Sequence, residues 1–285
     1  MGQNENGAAA MATQIRRDVI RMISSVGSGH PGGALGAADI LAALYSGGMR
    51  VKDANGKGRD RLVLSNGHIC AAWYSALSLS GCIDRTELNG FRRLGSRLQG
   101  HPSRKHMKEW VETSTGPLGQ GASVAHGIAL GLRMNGSDAK VFTLVGDGEM
   151  QEGIVWEALM TAPQYKLGNV VLFVLWNGLQ IDGTVENIKN LEPIADRLRA
   201  FGWDTIEIDG HDQKAIKSVL DRPRNATGKP TAVVARTIMS KGVSFMENDR
   251  KWHGTCPNKE QAEKALSELG AAGSFTDYPA VGGSK

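Results

Sequence analysis

Short apolar runs alternate with helical stretches along most of this chain of 285 residues. Four runs are rich in β-branched residues: VFTLV (141–145), VVLFVL (170–175), TIEI (205–208) and TAVVART (231–237). As a group they lack strict apolar–polar alternation, which is typical of strands buried on both faces of a parallel sheet. The order predicts an α/β fold: a doubly wound, mostly parallel sheet with helices on both faces and right-handed crossovers. Such a sheet binds its ligand beyond the C-terminal ends of the strands.

Helical spacing is clearest in residues 12–25, where Ile15, Val19, Met22 and Ile23 recur at helical intervals. The stretches DILAALY, HICAAWYSALSLS and ASVAHGIALGLRM are Ala-rich and apolar on several sides, as expected of helices packed inside a large domain. One domain is therefore predicted over residues 11–269. Residues 1–10 and the Gly-, Ala- and Ser-rich residues 270–285 are predicted to be flexible ends.

The composition, 41% hydrophobic and 22% charged, is that of a globular protein. Lys and Arg number 33 against 29 Asp and Glu, and the basic residues are scattered, which favours anionic small molecules over nucleic acid as ligands. No apolar run has membrane-spanning length and the N-terminus lacks signal-peptide features, so no membrane association is expected. Cys70, Cys82 and Cys256 form neither a close pair nor a zinc-ligand spacing, which favours a reducing, cytoplasmic location.

The segment GDGEMQEG (146–153) directly follows the run VFTLV. Gly-Asp-Gly alone is consistent with an ordinary tight turn. The next run, VVLFVL, leads into Trp-Asn-Gly, so Asn177 is predicted to lie near Asp147 at the same edge of the sheet. Mg²⁺ prefers oxygen ligands, and these two side chains would supply two of them. The glycines that flank Asp147 would let a diphosphate approach the backbone beside the N-terminus of the following helix.

With the motifs GSGHPGG, LSNGH, LQGHP and STGPLGQG upstream, in that order, the stretch GDGEMQEGIVWEA followed by VVLFVLWNGLQIDG closely resembles transketolase. WHGTCPN, near the end, is similar to the close of the same region. The resemblance extends from about residue 11 to about residue 265. It is to the N-terminal, diphosphate-binding (PP-type) half of the enzyme, in the split form in which two chains share the work.

The resemblance implies thiamine diphosphate and a divalent cation, Mg²⁺ or in its place Ca²⁺ or Mn²⁺, as cofactors. It makes Asp147, Asn177 and the carbonyl of Leu179 the cation ligands. One departure from the family pattern precedes Asn177, where Leu175-Trp176 stands in place of an acidic or Asn residue, so the contacts around the cation are expected to differ. The cofactor-binding positions implied are His68, Gly116, Pro117, Leu118, Gly146, Gly148, Glu149, Asn177, Ile181 and His253.

Four of the seven histidines lie beside glycine in predicted loops, and imidazole is suited to proton transfer near neutral pH. By resemblance, His30 and His253 act at the substrate oxygen, and His101 holds the hydroxyl of the transferred two-carbon unit. His68 lies near the cofactor. The remaining histidines, His106, His126 and His211, are predicted to be structural.

The reaction implied by the resemblance moves a glycolaldehyde unit from a ketose phosphate to an aldose phosphate, while a sulfonated or branched sugar or another acceptor remains open. In transketolases the Glu that protonates the cofactor's pyrimidine lies in a separate pyrimidine-binding domain. The predicted domain uses up this chain, so a C-terminal partner subunit is expected to supply that Glu, most simply in an α2β2 heterotetramer. Glu152 is counted with the catalytic residues because the resemblance places it at the subunit contact, hydrogen-bonding toward the partner's Glu.

Three other classes of protein could share parts of this pattern. The α subunit of a 2-oxoacid dehydrogenase shares the GDG motif but is not expected to carry the GHPG and QGHP histidines. A non-catalytic regulatory partner would not need Asp147, Asn177 and four loop histidines together. A Rossmann-type nucleotide binder is disfavoured because no G-x-G-x-x-G follows the first predicted strand.

Overall fold

A computed structural model describes residues 5–51, 58–222 and 228–280. Five parallel strands form one sheet in the order β1-β2-β3-β7-β6, and β4 and β5 form a separate antiparallel hairpin. This arrangement confirms the predicted α/β class and the mostly parallel sheet. The strands are β1 (Arg61–Leu64), β2 (Val141–Gly146), β3 (Val170–Trp176), β4 (Leu179–Gln180), β5 (Gly183–Thr184), β6 (Asp204–Asp209) and β7 (Thr231–Arg236).

Helices flank the sheet on both sides. They are α1 (Glu5–Val26), α2 (Pro31–Gly36), α3 (Ala38–Ala43), α4 (Cys70–Leu79), α5 (Gln120–Met134), α6 (Gly153–Gln164), α7 (Val185–Lys189), α8 (Ile194–Ala200), α9 (Gln213–Leu220) and α10 (Lys259–Leu269). A π turn at Leu44–Gly48 continues α3, and 3₁₀ turns occur at Gly67–Ile69, Arg85–Gly90, Glu149–Gln151 and Arg250–His253. None of the helices in the described ranges is long and apolar enough to cross a membrane.

Alternate residues of β2 face two separate cores, because successive strand side chains point to opposite faces of a sheet. Phe142 and Leu144 pack with residues of α1, α3, α4 and α9. Val141 and Val145 pack with residues of α5, α6 and α8. Every residue of β3 is buried, which explains why its sequence reads as a continuous apolar run.

β1, the β4–β5 hairpin and α2 were not recognised from the sequence. β1 has only four residues and begins with Arg61, so its apolar run, LVL, is too short to stand out. The hairpin of β4 and β5 has two residues in each strand, and its polarity gave no strand signal. α2 lies inside the predicted loop GSGHPGG, and it starts at Pro31, a residue whose fixed φ suits the first turn of a helix.

The chain ends also differ from the prediction within the described residues. α1 already begins at Glu5, inside the segment predicted to be flexible. In the predicted tail, Asp277 accepts a 2.8 Å hydrogen bond from Arg17, and Tyr278 is buried beneath the guanidinium of Arg21. The Gly- and Ala-rich composition concealed these acidic and aromatic anchors. The flexibility predicted for residues 1–4 and 281–285 lies outside the described part of the chain.

Strand register determines where the candidate site forms. Gly146, the last residue of β2, pairs with Leu175 in β3. Asp147, which directly follows β2, therefore lies beside the end of β3, and Asn177 is the residue that directly follows β3. The predicted proximity of these two residues is a direct result of this register.

Candidate active site

A cavity of about 370 Å³ opens at the edge of the sheet where β2, β3 and β7 end. It contains most of the residues that the sequence singled out. The lining residues are His30, Gly33, Ala37, Asn66, His68, Ile69, Gly116, Leu118, Gly146, Asp147, Gly148, Glu149, Gln151, Glu152, Leu175, Asn177, Leu179, Gln180, Ile181, Asp182, Thr237 and His253.

Asp147 links the ends of β2 and β3. Its Oδ2 accepts hydrogen bonds from the backbone N–H of Asn177 (2.8 Å) and Gly178 (2.6 Å), and Oδ1 accepts one from Gly148 (2.8 Å). Asp147 as a whole residue is only 3% exposed. Burial raises the pKa of this carboxyl to about 6, although the three backbone N–H groups act in the opposite direction. A cation beside the carboxylate would counter that effect by stabilising the charged form.

Asn177 and Leu179 lie beside Asp147, and we call these three candidate ligands the Asp147–Asn177 corner. The side-chain Oδ1 of Asn177 accepts a 2.9 Å hydrogen bond from the N–H of Leu179. Leu179 begins the hairpin of β4 and β5, and the N–H of Val185 donates to the carbonyl of Gly178, which holds the hairpin base together. The candidate ligands are therefore fixed by backbone contacts, as a rigid cation site requires.

The donor set matches a hard cation rather than a soft one. A carboxylate, an amide oxygen and a backbone carbonyl are the ligand types that Mg²⁺ and Ca²⁺ accept. Among the described residues, no group of three or more His, Cys, Asp or Glu side chains is arranged to hold a metal. The three candidate ligands are fewer than an octahedral Mg²⁺ site needs, so oxygens of a bound diphosphate would complete it.

Two further observations indicate space for a polar ligand at this corner. Asn66 is 2% exposed, and its Oδ1 has no hydrogen-bond partner among the described residues. A Cβ placed on Gly146 would meet no atom closer than 4.0 Å, so protein packing alone does not demand glycine there. An unsatisfied buried amide beside open space is expected where a ligand or water supplies the missing hydrogen bond.

The four loop histidines form one cluster. The ring of His30 lies 5.3 Å from that of His68, 5.7 Å from that of His253 and 6.2 Å from that of His101. His68 and His253 are 5.2 Å apart. His30 immediately precedes α2, and His253 ends the 3₁₀ turn at Arg250–His253. Residues separated by more than two hundred positions thus meet at one point.

Burial keeps these imidazoles neutral. It lowers the pKa of His30 to about 4 and that of His68 to about 3, and mutual repulsion with neighbouring rings adds to both shifts. The pKa values of His101 and His253 are also lowered, again chiefly by burial. The guanidinium of Arg92 disfavours protonation of His30 and His101. Neutral imidazoles can accept a proton at one nitrogen and donate one at the other.

The remaining predicted site residues differ in position. Gly116, Leu118 and Ile181 line the cavity, and Ile181 is 65% exposed. Pro117 and His101 are exposed beside the cavity and are not part of its wall. Glu152 lines the cavity with an exposed side chain, directly before α6.

A 3₁₀ turn at Glu149–Gln151 separates Gly148 from α6. The N–H of Gly148 is already engaged by Asp147. The prediction that the dipole of this helix faces a diphosphate therefore stays a prediction.

Sequence reasoning missed several wall residues. Asn66 precedes His68 in the motif LSNGH, and its place in that motif was the available signal. Gln151 donates a 2.9 Å hydrogen bond to the side chain of Gln180 across the mouth of the site. Nothing in the sequence pairs these two glutamines, because the contact depends on the β4–β5 hairpin.

Trp176, the residue that departs from the family pattern, points away from the cavity. It is 7% exposed and packs in the core that contains α5 and α6. The guanidinium of Arg236 lies 5.3 Å from the centre of its ring. Leu175, the other residue of this departure, does line the cavity, so the expected change in the contacts around the cation stays a prediction.

Comparison with known proteins assigns this architecture to a family. The family model for the thiamine-diphosphate-binding domain of transketolase matches residues 8–276. The chain belongs to the transketolase family. This membership confirms the resemblance stated from the sequence, and it places the chain among thiamine-diphosphate-dependent ketol transferases.

Similar relatives include separate subunits as well as longer chains. An apulose-4-phosphate transketolase subunit of Phocaeicola vulgatus is 39% identical over 89% of this chain and 90% of that protein. The 6-deoxy-6-sulfo-D-fructose transketolase subunit SqwG of a Clostridium species is 38% identical over 94% of this chain and 98% of that protein. The transketolase structure from Campylobacter jejuni aligns with a TM-score of 0.85 and 35% identity over 96% of this chain. This chain spans only 44% of that transketolase.

Proposed function

We propose that this chain is the diphosphate- and cation-binding subunit of a split transketolase. Asp147, Asn177 and the carbonyl of Leu179 would hold Mg²⁺, and Gly146 and Gly148 would face the diphosphate. The observation that carries the proposal is the fixed Asp147–Asn177 corner, which opens into the same cavity as three of the four clustered histidines.

Bound thiamine diphosphate supplies the carbon that takes up the two-carbon unit. The chain's own residues orient the substrate and move protons. His30 and His253, held neutral, would exchange a proton with the substrate oxygen, while His101 at the cavity rim would hold a hydroxyl of the transferred unit. His68 would lie against the cofactor, beside His30 and His253.

A partner subunit would complete the site. The pyrimidine-binding half, with its catalytic Glu, would correspond to part of the Campylobacter jejuni transketolase that this chain does not span. Glu152 is exposed at the cavity and is available to a carboxyl group arriving from the partner. Two relatives are named as transketolase subunits, which favours an active site shared between two chains. We propose an α2β2 assembly in the cytoplasm.

The substrates proposed are a ketose phosphate donor and an aldose phosphate acceptor. The relatives named for apulose 4-phosphate and for a sulfonated fructose make a branched or a sulfonated sugar the second candidate. Initial rates of the assembled enzyme with donors of each kind distinguish the two.

The cation site is tested by Asp147→Asn, which keeps the shape of the side chain but removes its charge. We expect the affinity for thiamine diphosphate at saturating Mg²⁺ to fall at least about 10-fold, because a charged cation ligand is lost. Calorimetric titration of the chain assembled with its partner measures the change. Asp182→Asn is the matched control, since this exposed aspartate lines the same cavity outside the corner. Equal affinity of the Asp147→Asn variant and the parent would contradict the assignment.

A further inference from the structure

Glu149 is a buried carboxylate at the centre of the site. The residue is 2% exposed. Oε1 accepts hydrogen bonds from the hydroxyl of Ser65 (2.5 Å) and from the N–H of Gly119 (2.7 Å). Oε2 accepts one from the N–H of Gly146 (3.0 Å). Both carboxylate oxygens are thus bound by the protein itself.

The three donors belong to three separate segments of the cavity wall. Ser65 precedes Asn66 and His68, which follow β1. Gly119 ends the loop that contains Gly116 and Leu118, and Gly146 precedes the cation ligand Asp147. One side chain therefore fixes the positions of three loops relative to one another.

Ser65 extends this connection into α5. Its hydroxyl donates to Glu149 and also accepts a 3.1 Å hydrogen bond from the N–H of Ala122 in the first turn of that helix. Gly119, the N-cap residue, has a left-handed φ of 83°, and a Cβ there would lie 2.7 Å from Ile154. The carboxylate thus lies at the N-terminal end of a 15-residue helix, where the helix dipole favours a negative charge.

We propose that Glu149 is a positioning residue for the thiamine-diphosphate site and not a ligand of the cofactor. The sequence resemblance placed Glu149 among cofactor-binding residues. Its oxygens instead accept three hydrogen bonds from the loops, so its effect on the cofactor passes through the backbone of Gly146, the segment at His68 and the Gly116–Gly119 loop. This inference rests on the proposed function, because the loops matter for binding only if the cofactor lies among them.

Glu149→Gln tests the proposal. Glutamine retains one oxygen that can accept from Ser65 and Gly119, but its amide group opposes the N–H of Gly146, so the two donors repel. We expect the dissociation constant of thiamine diphosphate, measured at saturating Mg²⁺ on the assembled enzyme, to rise about 10- to 100-fold. This is the usual effect of losing a residue that orients ligand-binding groups without touching the ligand itself. The kcat at saturating cofactor should change much less, because Glu149 touches no reacting group.

Val170→Ala is the control for a general loss of stability. Val170 is fully buried at the N-terminal end of β3, whereas the site lies at the C-terminal ends of the strands. At a comparable loss of unfolding free energy, this variant should bind the cofactor as the parent does. Equal losses of affinity in the two variants would show that Glu149 has only a structural role, and unchanged affinity of Glu149→Gln would also overturn the proposal.

Ser65→Ala provides a second test if Glu149→Gln does not fold. It removes one donor to the same carboxylate, so cofactor affinity should fall in the same direction by a smaller factor. Unchanged affinity of this variant would count against the positioning role. Failure of the parent to bind thiamine diphosphate would overturn the proposed function instead, so the two failures are distinguishable.

Discussion

Among single residues, His101 is expected to affect the reaction of the substrate without affecting the binding of the cofactor. It lies at the rim of the histidine cluster, 6.2 Å from His30, and outside the cavity wall. We expect His101→Ala to lower kcat with a ketose donor about 100-fold, which is typical of a lost proton-transfer or hydroxyl-binding imidazole, with little change in cofactor affinity. Steady-state kinetics and calorimetry check the two quantities. His106→Ala is the control, because His106 is exposed and bonds Ser103. An unchanged kcat would argue against the assigned role.

The sequence allowed some of these residues to be predicted and not others. Asp147 and Asn177 follow two recognisable strands, so parallel pairing alone predicted their proximity. The role of Glu149 was not predictable, because its partners Ser65 and Gly119 come from distant segments and meet only through tertiary packing. The resemblance to transketolase supplied the histidine roles, which no spacing rule could have given.

At the scale of elements, α5 contains a buried titratable group that the proposed mechanism does not use. His126 is 3% exposed and packs against Trp203, with ring centres 5.6 Å apart. Burial lowers its pKa from 6.5 to about 4. The unfolded chain binds the proton of this histidine more tightly than the folded chain does. Protonation of His126 therefore does not lower the free energy of unfolding above pH 6.5, but lowers it progressively as the pH falls toward 4.

Replacing His126 with Phe should therefore flatten the acid side of the stability profile. We expect the parent to lose about 3 kcal/mol of unfolding free energy more than His126→Phe between pH 6.5 and pH 4, the cost of protonating one buried imidazole. Denaturant unfolding of both proteins across this range measures the difference. The other histidines contribute equally to both profiles and cancel. Parallel profiles would mean that His126 is protonated in the folded state at no cost.

The long elements were predictable and the short ones were not. β2, β3, β6 and β7 each contain at least six residues, and their β-branched composition identified them. The prediction that all four are buried on both faces was wrong for β6, because this strand lies at the edge of the sheet and no residue in it is fully buried. β1 and the β4–β5 hairpin are too short for a periodic pattern, and their conformation depends on neighbours distant in sequence. α1 was recognised from its spacing, but its start at Glu5 was hidden by the Gly- and Ala-rich sequence around it.

In the proposed assembly, the chain as a whole holds only half of an active site. The sheet edge contains candidate ligands for a cation, a diphosphate and a substrate oxygen. In the proposed mechanism, the carboxylate that acts on the pyrimidine comes from elsewhere. The resemblance to transketolase places Glu152 where it would meet this carboxylate, and Glu152 is exposed at the cavity directly before α6.

The most direct test is the rate of ketol transfer by this chain with and without its partner, at saturating thiamine diphosphate and Mg²⁺. The acceptor is ribose 5-phosphate, and the donor is whichever of xylulose 5-phosphate, a branched or a sulfonated ketose the mixture uses fastest. We expect no turnover by the chain alone and a rate that rises on titration to a plateau at one partner per chain. Turnover by the isolated chain at the rate of the mixture would contradict the split-site account and make Glu152 the first candidate for an internal catalytic carboxylate.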